Sequence, residues 1–486
     1  MQWGSISTVL PLVAYCICCT IRHLTDLGSG KPDLGLPPKV SFRLQEYEFP
    51  YSTHFRFALY RLSRLQDLYI FDFSIGFSDA YFHDAWRDCA ASGAVMLRPI
   101  LSRGTAVTIT GFALIAVTYG LVRFSYGQFM PTIRAELDLT EGMAGVISSA
   151  LFLGNCAALL IAAWATERFG GRAVATLSAT MATVGLMGMA ISHDPLIFAA
   201  WLMLAGSSAG FSMPPLVTSI LVTVREERQA MATTIVNAGT GVGIMISGPI
   251  ALYFTGLWRF SFAGFAALAL VTTLATLLFL PKRGPVAEAA NGPRPEPIWR
   301  VSAAYPILAS AFLFGVVCAC FWTFGGEILS NIGGWTSEGL SWFWILIGTA
   351  GLAGAGAGAC VQVLGIRTTH TFSYLMVAAA IILLGLAGEH WAFPLIAGVL
   401  FGVLYILQTG LYLLWGLKAM PDRPATIVAA AFFMLPLGQV VGSVLMGYGM
   451  QWLGTKETLF GFVILCLMGA LYVPSERSQS AIPQTA

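Results

Sequence analysis

The sequence predicts an all-α polytopic membrane protein of twelve transmembrane helices arranged as two six-helix repeats. Three observations carry that prediction. Of the 486 residues, 57% are hydrophobic and only 10% are charged, against roughly 25% charged in a soluble domain. From residue 104 onward, runs of mainly apolar residues alternate with short polar turns, each run reaching the ~20 residues needed to cross a bilayer. The chain also repeats itself at an offset of 195 residues: Gly120 and Val122 fall on Gly315 and Val317, Gly170 and Arg172 on Gly365 and Arg367, Arg228 on Arg423, and Gly243 on Gly438.

Residues 1–95 stand apart. They hold eight of the 26 Lys and Arg and mix charge, proline and aromatic residues with no sustained period. The apolar run 8–21 is too short to span, and it lacks the cationic lead and small-residue cleavage site of a signal peptide. The expectation is a poorly ordered extension, of the kind an overlong reading of the start codon would leave. Met96, with Arg98 and Arg103 after it, opens a short cationic lead to the first span.

The predicted spans of the first half are 106–130, 143–163, 173–192, 195–222, 230–255 and 260–280, within a bundle bounded as 96–280. A hydrophilic linker, 281–302, carries Lys282, Arg283, Arg294 and Arg300 among prolines. The second bundle, 303–475, contains spans 303–326, 338–361, 371–388, 391–416, 425–450 and 457–474, and a tail follows at 476–486. Placing the loop after the second span in the cytoplasm puts both ends of the bundle there too. Fourteen Lys or Arg then lie inside and only Arg134, Arg259 and Lys456 outside, as the positive-inside rule requires.

Arg123 is the only charged side chain well inside a span, roughly 10–12 Å in from Pro131 at 1.5 Å per residue, and such a residue is costly to bury without a partner. On an α-helix, Tyr119, Arg123, Tyr126 and Met130 share one face. The equivalent residues of the second copy are Phe314, Cys318, Phe321 and Gly325, so the aromatic face recurs and the arginine does not. That asymmetry suggests a bidentate site for an anionic, carboxylate-bearing substrate between aromatic walls; the other reading is a structural arginine held by helix-terminal carbonyls or by Glu327. Tyr405, Gln408, Tyr412 and Trp415 line one face of the 391–416 run, and Asn237 and Thr240 lie on the 230–255 run. They can serve a cavity as donors and acceptors, or simply join helices. Phe321 is expected in the aromatic wall, and the neighbouring Trp322 either gates the outer mouth or anchors at the interface. Glu327, near the outer end of the seventh span, is the candidate for proton coupling.

Composition excludes other classes. A net charge of +2, spread over separated loops, is no nucleic-acid footprint. The nine cysteines are scattered and mostly in apolar runs, so neither disulfides nor metal ligation is implied. The six histidines are dispersed, which leaves no cluster for a membrane-embedded enzyme, and no cofactor is expected.

The segment Ala163-Trp164-Ala165-Thr166-Glu167-Arg168-Phe169-Gly170-Gly171-Arg172 carries the pattern small-x-x-x-acid-Arg-x-Gly-x-Arg. It resembles the loop between helices 2 and 3 of the major facilitator superfamily of secondary transporters. Arg123-Phe124-Ser125-Tyr126 with Pro131 is similar to the first helix of a broad group of poorly characterised bacterial members. The resemblance covers residues 104–475 and implies alternating access, with Glu167, Arg168, Gly170 and Arg172 as a conformational latch. Two departures weigh against proton antiport. Leu202 stands four residues before Gly206, where many proton-coupled members carry arginine, and Gly243 to Gly248-Pro249 is one residue longer than the antiporter pattern. The expected protein is a monomeric secondary transporter of the inner or plasma membrane that moves a small organic anion. Its partners are the substrate, the lipid bilayer and a coupling proton. The alternative is proton-coupled efflux of drugs or metabolites.

Overall fold

The computed structural model describes residues 102–254, 256–282, 304–420 and 424–472. The 1–95 extension, most of the 281–302 linker and the 476–486 tail lie outside the described residues. The helices of the first half are α1 (Arg103–Ile115), a π-helical continuation (Ala116–Phe124), α2 (Tyr126–Glu136), α3 (Glu141–Phe169), α4 (Gly171–Ile191), α5 (Pro195–Thr223), α6 (Glu226–Tyr253) and α7 (Trp258–Phe279). Those of the second are α8 (Tyr305–Trp322), α9 (Gly325–Gly333), α10 (Ser337–Ala353), α11 (Ala357–Gly385), α12 (Ala392–Ala419), α13 (Pro424–Leu453) and α14 (Thr455–Leu471).

Among the described residues ten helices are long and apolar enough to cross a membrane. Two helices of 17 residues, α10 and α14, complete the twelve. A one-turn 3₁₀ helix, Gly354–Gly356, carries the α10 span on into the start of α11. The outer surface confirms the setting: large apolar side chains such as Leu160, Leu196, Leu278 and Leu471 are exposed, which is stable only where lipid replaces water.

Local chemistry fixes the helix starts. The Thr140 hydroxyl accepts from the Met143 amide at 3.2 Å, and Asp194 accepts from Leu196 and Ile197 at 2.9 and 3.0 Å with Pro195 in the first turn. These are the residue types that satisfy the free amides of a helix N-terminus.

The sequence repeat is also a repeat of backbone geometry. Gly170 has φ 87° and ψ 154°, and its counterpart Gly365 has φ 78° and ψ 162°, a region open essentially to glycine alone. Each makes the turn between the second and third spans of its half. Gly365 does so inside α11, so the predicted 338–361 and 371–388 spans meet at a kink rather than at a loop. Gly120 crosses Gly243 with no room for a Cβ on either, and Gly315 crosses Gly438 in the same way. These crossings join the first and fifth spans of each half by backbone contact, where van der Waals packing replaces a hydrophobic drive that lipid cannot supply.

Between the halves, α3 packs on α13 and α6 on α10. Glycines again set the approach: a Cβ on Gly145 would collide with the Ser443 carbonyl, and one on Gly348 would meet the Met245 amide.

Candidate substrate site

The first helix of each half is broken toward the same end. In the first half nine residues, Ala116–Phe124, are wound as π-helix and the helix restarts at Tyr126 after Ser125. In the second, α8 stops at Trp322 and α9 starts at Gly325. A break frees backbone groups that the bilayer interior cannot satisfy. The other half supplies the donor: Trp344 Nε1 of α10 gives a hydrogen bond to the Phe124 carbonyl at 2.8 Å. The breaks also let the two helices touch by backbone, because Gly127 lies against the Trp322 carbonyl and Gly326 against the Gly127 carbonyl.

Arg123 sits at the foot of this junction, 4% exposed. Its Nη2 donates to Gln439 Oε1 on α13 at 2.5 Å, so the bond crosses between the halves. The guanidinium carbon lies 5.4 Å from the Tyr119 ring centre, 5.1 Å from Phe124 and 5.7 Å from Phe152. Its Nε has no hydrogen-bond partner, nor does Gln439 Nε2. Two ion pairs occur among the described residues, Arg134–Glu327 and Arg259–Glu136, and neither involves Arg123. Its charge is therefore met by neutral groups, the Gln439 amide, the Tyr119 hydroxyl and ring faces, with no carboxylate partner among the described residues. Desolvating an ion costs several kcal/mol, and each ring returns about 0.5–2 kcal/mol. The balance leaves a cation that an anion would stabilise.

Around it the structure gathers part of the predicted set and disperses the rest. Tyr119 lies beside Arg123, and Tyr405 lies with them, its ring centre 5.3 Å from Phe124 and 5.2 Å from Trp322. Tyr126 does not. The wide π turns and the break at Ser125 rotate it off the Arg123 face, and it packs with Phe198 and Ser148 inside the first half; Phe124 takes its place. Phe321 is likewise turned inward, stacked on Phe401 with centroids 4.0 Å apart, while Trp322 faces Phe124 at 4.3 Å. Gln408 is buried within the second half, its Oε1 accepting from Ser373. Asn237 is exposed on α6.

Gln439 was not singled out from sequence. The signal was nevertheless present, since Gly438 has Gly243 as its counterpart and the residues that follow are Gln439 and Ile244: a polar side chain had entered one copy of a packed crossing. Asn155 is 1% exposed, one turn from Phe152, and neither amide atom has a partner among the described residues, so it is a second uncommitted donor and acceptor next to the arginine's walls.

Glu327 is not the counter-ion of Arg123. It is 1% exposed and binds Arg134 across the halves at 2.6 Å, with the Asn331 amide donating to the same oxygen at 3.1 Å. This pair, the Gln128 to Ser341 bond at 3.0 Å and the Gly142 amide to Gln451 at 3.0 Å close one end of the molecule. The two partners differ in burial, with side chains 29% exposed for Arg134 and 2% for Glu327. Arg134→Ala therefore strands a buried carboxylate, an effect of about 3–5 kcal/mol, whereas Glu327→Gln strands a half-buried arginine that water can still reach. The expected ranking in thermal unfolding is wild type, then Glu327→Gln, then Arg134→Ala well below, with the double variant recovering most of the loss. Equal effects of the two single changes would refute the ranking.

The residues expected to form a latch lie at the opposite end. Glu167 and Arg168 are exposed, Gly170 makes the turn, and Arg172 Nε donates to the Leu280 carbonyl at the end of α7 at 2.5 Å. In this conformation Arg172 braces its own half, and no ion pair of Glu167 or Arg168 occurs among the described residues.

A family model for the Major Facilitator Superfamily matches residues 112–442. A chloramphenicol resistance protein of Streptomyces lividans is 27% identical over 281 residues, which are 56% of this chain and 70% of that protein. Among solved structures, nucleoside transporter NupG aligns with a TM-score of 0.66 at 12% identity, over 75% of this chain and 98% of its own. A D-xylose-proton symporter aligns at 0.61 and 13%, over 78% and 97%. A bacterial homologue of the human lysosomal transporter Spinster, inward-facing and unoccupied, aligns at 0.61 and 14%, over 76% and 95%. At these identities the structural likenesses speak for the fold, and the family match, running through both halves, speaks for descent: the chain belongs to the major facilitator superfamily of secondary transporters.

Proposed function

We propose that this transporter carries a small organic anion, bound by Arg123 between the two halves. The observation that supports the reading is a buried guanidinium with no carboxylate partner among the described residues, bonded across the interface to an amide that a ligand carboxylate can displace. Tyr119, Phe124, Phe152, Trp322 and Tyr405 would wall an apolar or aromatic body attached to that carboxylate. With the Arg172 end placed in the cytoplasm by its excess of Lys and Arg, the conformation is closed outside, at Gly127 and Arg134–Glu327. Glu167 and Arg168, exposed and in no ion pair among the described residues, then fit a cytoplasmic latch that is open. The inner or plasma membrane is the setting this orientation fits.

A second reading, efflux of uncharged drugs, is favoured by the chloramphenicol resistance relative. The two separate in a thermal-shift panel on the full chain, with wild type and Arg123→Ala each titrated with benzoate, other small carboxylates and chloramphenicol. A ligand at 100 times its Kd stabilises by ~2.7 kcal/mol. The anion reading expects carboxylates to stabilise wild type alone. Equal stabilisation of both proteins by chloramphenicol, with no carboxylate effect, would hand the site to efflux.

A further inference from the structure

A second polar cluster lies entirely inside the second half, apart from Arg123. At its centre is His370 of α11, fully buried. Its Nε2 is 2.8 Å from Ser310 Oγ on α8. That hydroxyl also lies 2.9 Å from the Tyr412 hydroxyl of α12 and 3.2 Å from that of Tyr374. Tyr374 donates to the Ser310 carbonyl at 2.6 Å. The other ring nitrogen, Nδ1, has no partner, and neither does the buried Nε2 of Gln408. The imidazole is walled by Tyr374 at 4.9 Å and Trp415 at 5.4 Å between centroids.

We propose that His370 is a proton-binding site of the transport cycle, taking a proton at Nδ1 in one conformation and releasing it in another. The inference rests on the alternating-access reading of the fold and not on the identity of the substrate. With Nε2–H donating to Ser310 Oγ, the serine proton turns to a tyrosine oxygen and Nδ1 keeps a bare lone pair. Binding forms one N–H bond with a proton from water on the open side; release breaks the same bond toward the other side. The imidazolium so formed would face two aromatic rings, which stabilise a cation.

The surrounding elements make the site reversible. On α8 the facing group is Ser310, on α12 Tyr412, Trp415 and Gln408, and on α14 Cys466, whose thiol donates to the Tyr374 carbonyl at 3.1 Å. No Asp or Glu occurs on α8, α11 or α12, and the cations nearest in sequence are Arg367 and Lys418, each one turn away along its helix. Among the described residues no carboxylate pairs with His370, so a change in packing or hydration can shed the proton. A histidine serving only to tie α8, α11 and α12 together would have no use for an unpartnered nitrogen.

The test needs no substrate. Hydrogen–deuterium exchange at the imidazole C2, read by mass spectrometry on the full chain in lipid nanodiscs from pH 5 to 9, follows each histidine separately. His370 is expected to titrate within this window. Its midpoint should move by at least about half a pH unit, a threefold change in proton affinity, in Gly127→Val and in Arg134→Ala, which loosen the closed end by independent routes. Exchange that stays flat with pH would overturn the proposal. So would a midpoint that is identical in wild type and both variants, since proton binding would then be unlinked from conformation.

Discussion

Gln439→Glu should abolish carboxylate binding while raising the stability of the empty protein. The substitution places a carboxylate where the amide oxygen now lies 2.5 Å from Arg123 Nη2, and it keeps side-chain size and helix position. A buried guanidinium that lacks a counter-ion gains one, an effect comparable to the 3–5 kcal/mol lost when such a pair is broken. A ligand carboxylate must then compete with an internal one, and its affinity should fall by about 10²–10³, the same free energy read as a binding ratio. The measurement is the benzoate-series titration together with the unfolding midpoint at zero ligand. Destabilisation of the empty protein, or carboxylate affinity equal to that of wild type, would mean that Arg123 is already neutralised and that the anion reading is wrong.

Gly127→Val should prevent the Glu327 end from sealing. A Cβ at this position would fall on the Trp322 carbonyl, with the Thr323 carbonyl 3.0 Å away, and backbone cannot yield as a side-chain tip can. Overpacking of this kind costs about 1–3 kcal/mol, enough to shift the balance of two conformations roughly tenfold or more. Spin labels at the exposed positions Ala135 and Glu338, one in each half, should report a longer separation in the variant. Gly461→Ala is the control: nothing lies within 4 Å of a Cβ there, and alanine is the better helix former by about 1 kcal/mol. Its label distances should match wild type. An unchanged distance distribution in Gly127→Val would show that this crossing does not seal the end.

Much of the architecture was legible because it rests on signals that survive in single residues. Apolar run length gave the spans, and the 195-residue repeat paired glycines that the structure uses alike: Gly170 and Gly365 share a glycine-only backbone conformation, and the Gly120–Gly243 crossing is repeated at Gly315–Gly438. The site was legible only in part. Reading Tyr119, Arg123 and Tyr126 as one face assumes 3.6 residues per turn throughout. The π turns from Ala116 to Phe124 and the restart at Tyr126 rotate the later residues out of that frame. Nothing in local composition marks such a change of pitch, because it is held by a distant donor, Trp344, on the other half. Gln439 and the true partner of Glu327 were missed for the same reason. Their meaning lies in contacts 316 residues away for Arg123 and Gln439 and across the interface for Arg134, which span length and periodicity do not encode.

The doubled glycine crossings bear on how such a protein can change its cargo. Each half keeps the same backbone crossing, while the residues one turn away differ between the copies, arginine in one and Cys318 in the other. The contact between the helices is made by main chain, and the side chains that vary stand one turn away from it. Selection can thus rewrite the ligand without disturbing the machinery that moves it, and a duplicated frame gives two independent surfaces on which to do so.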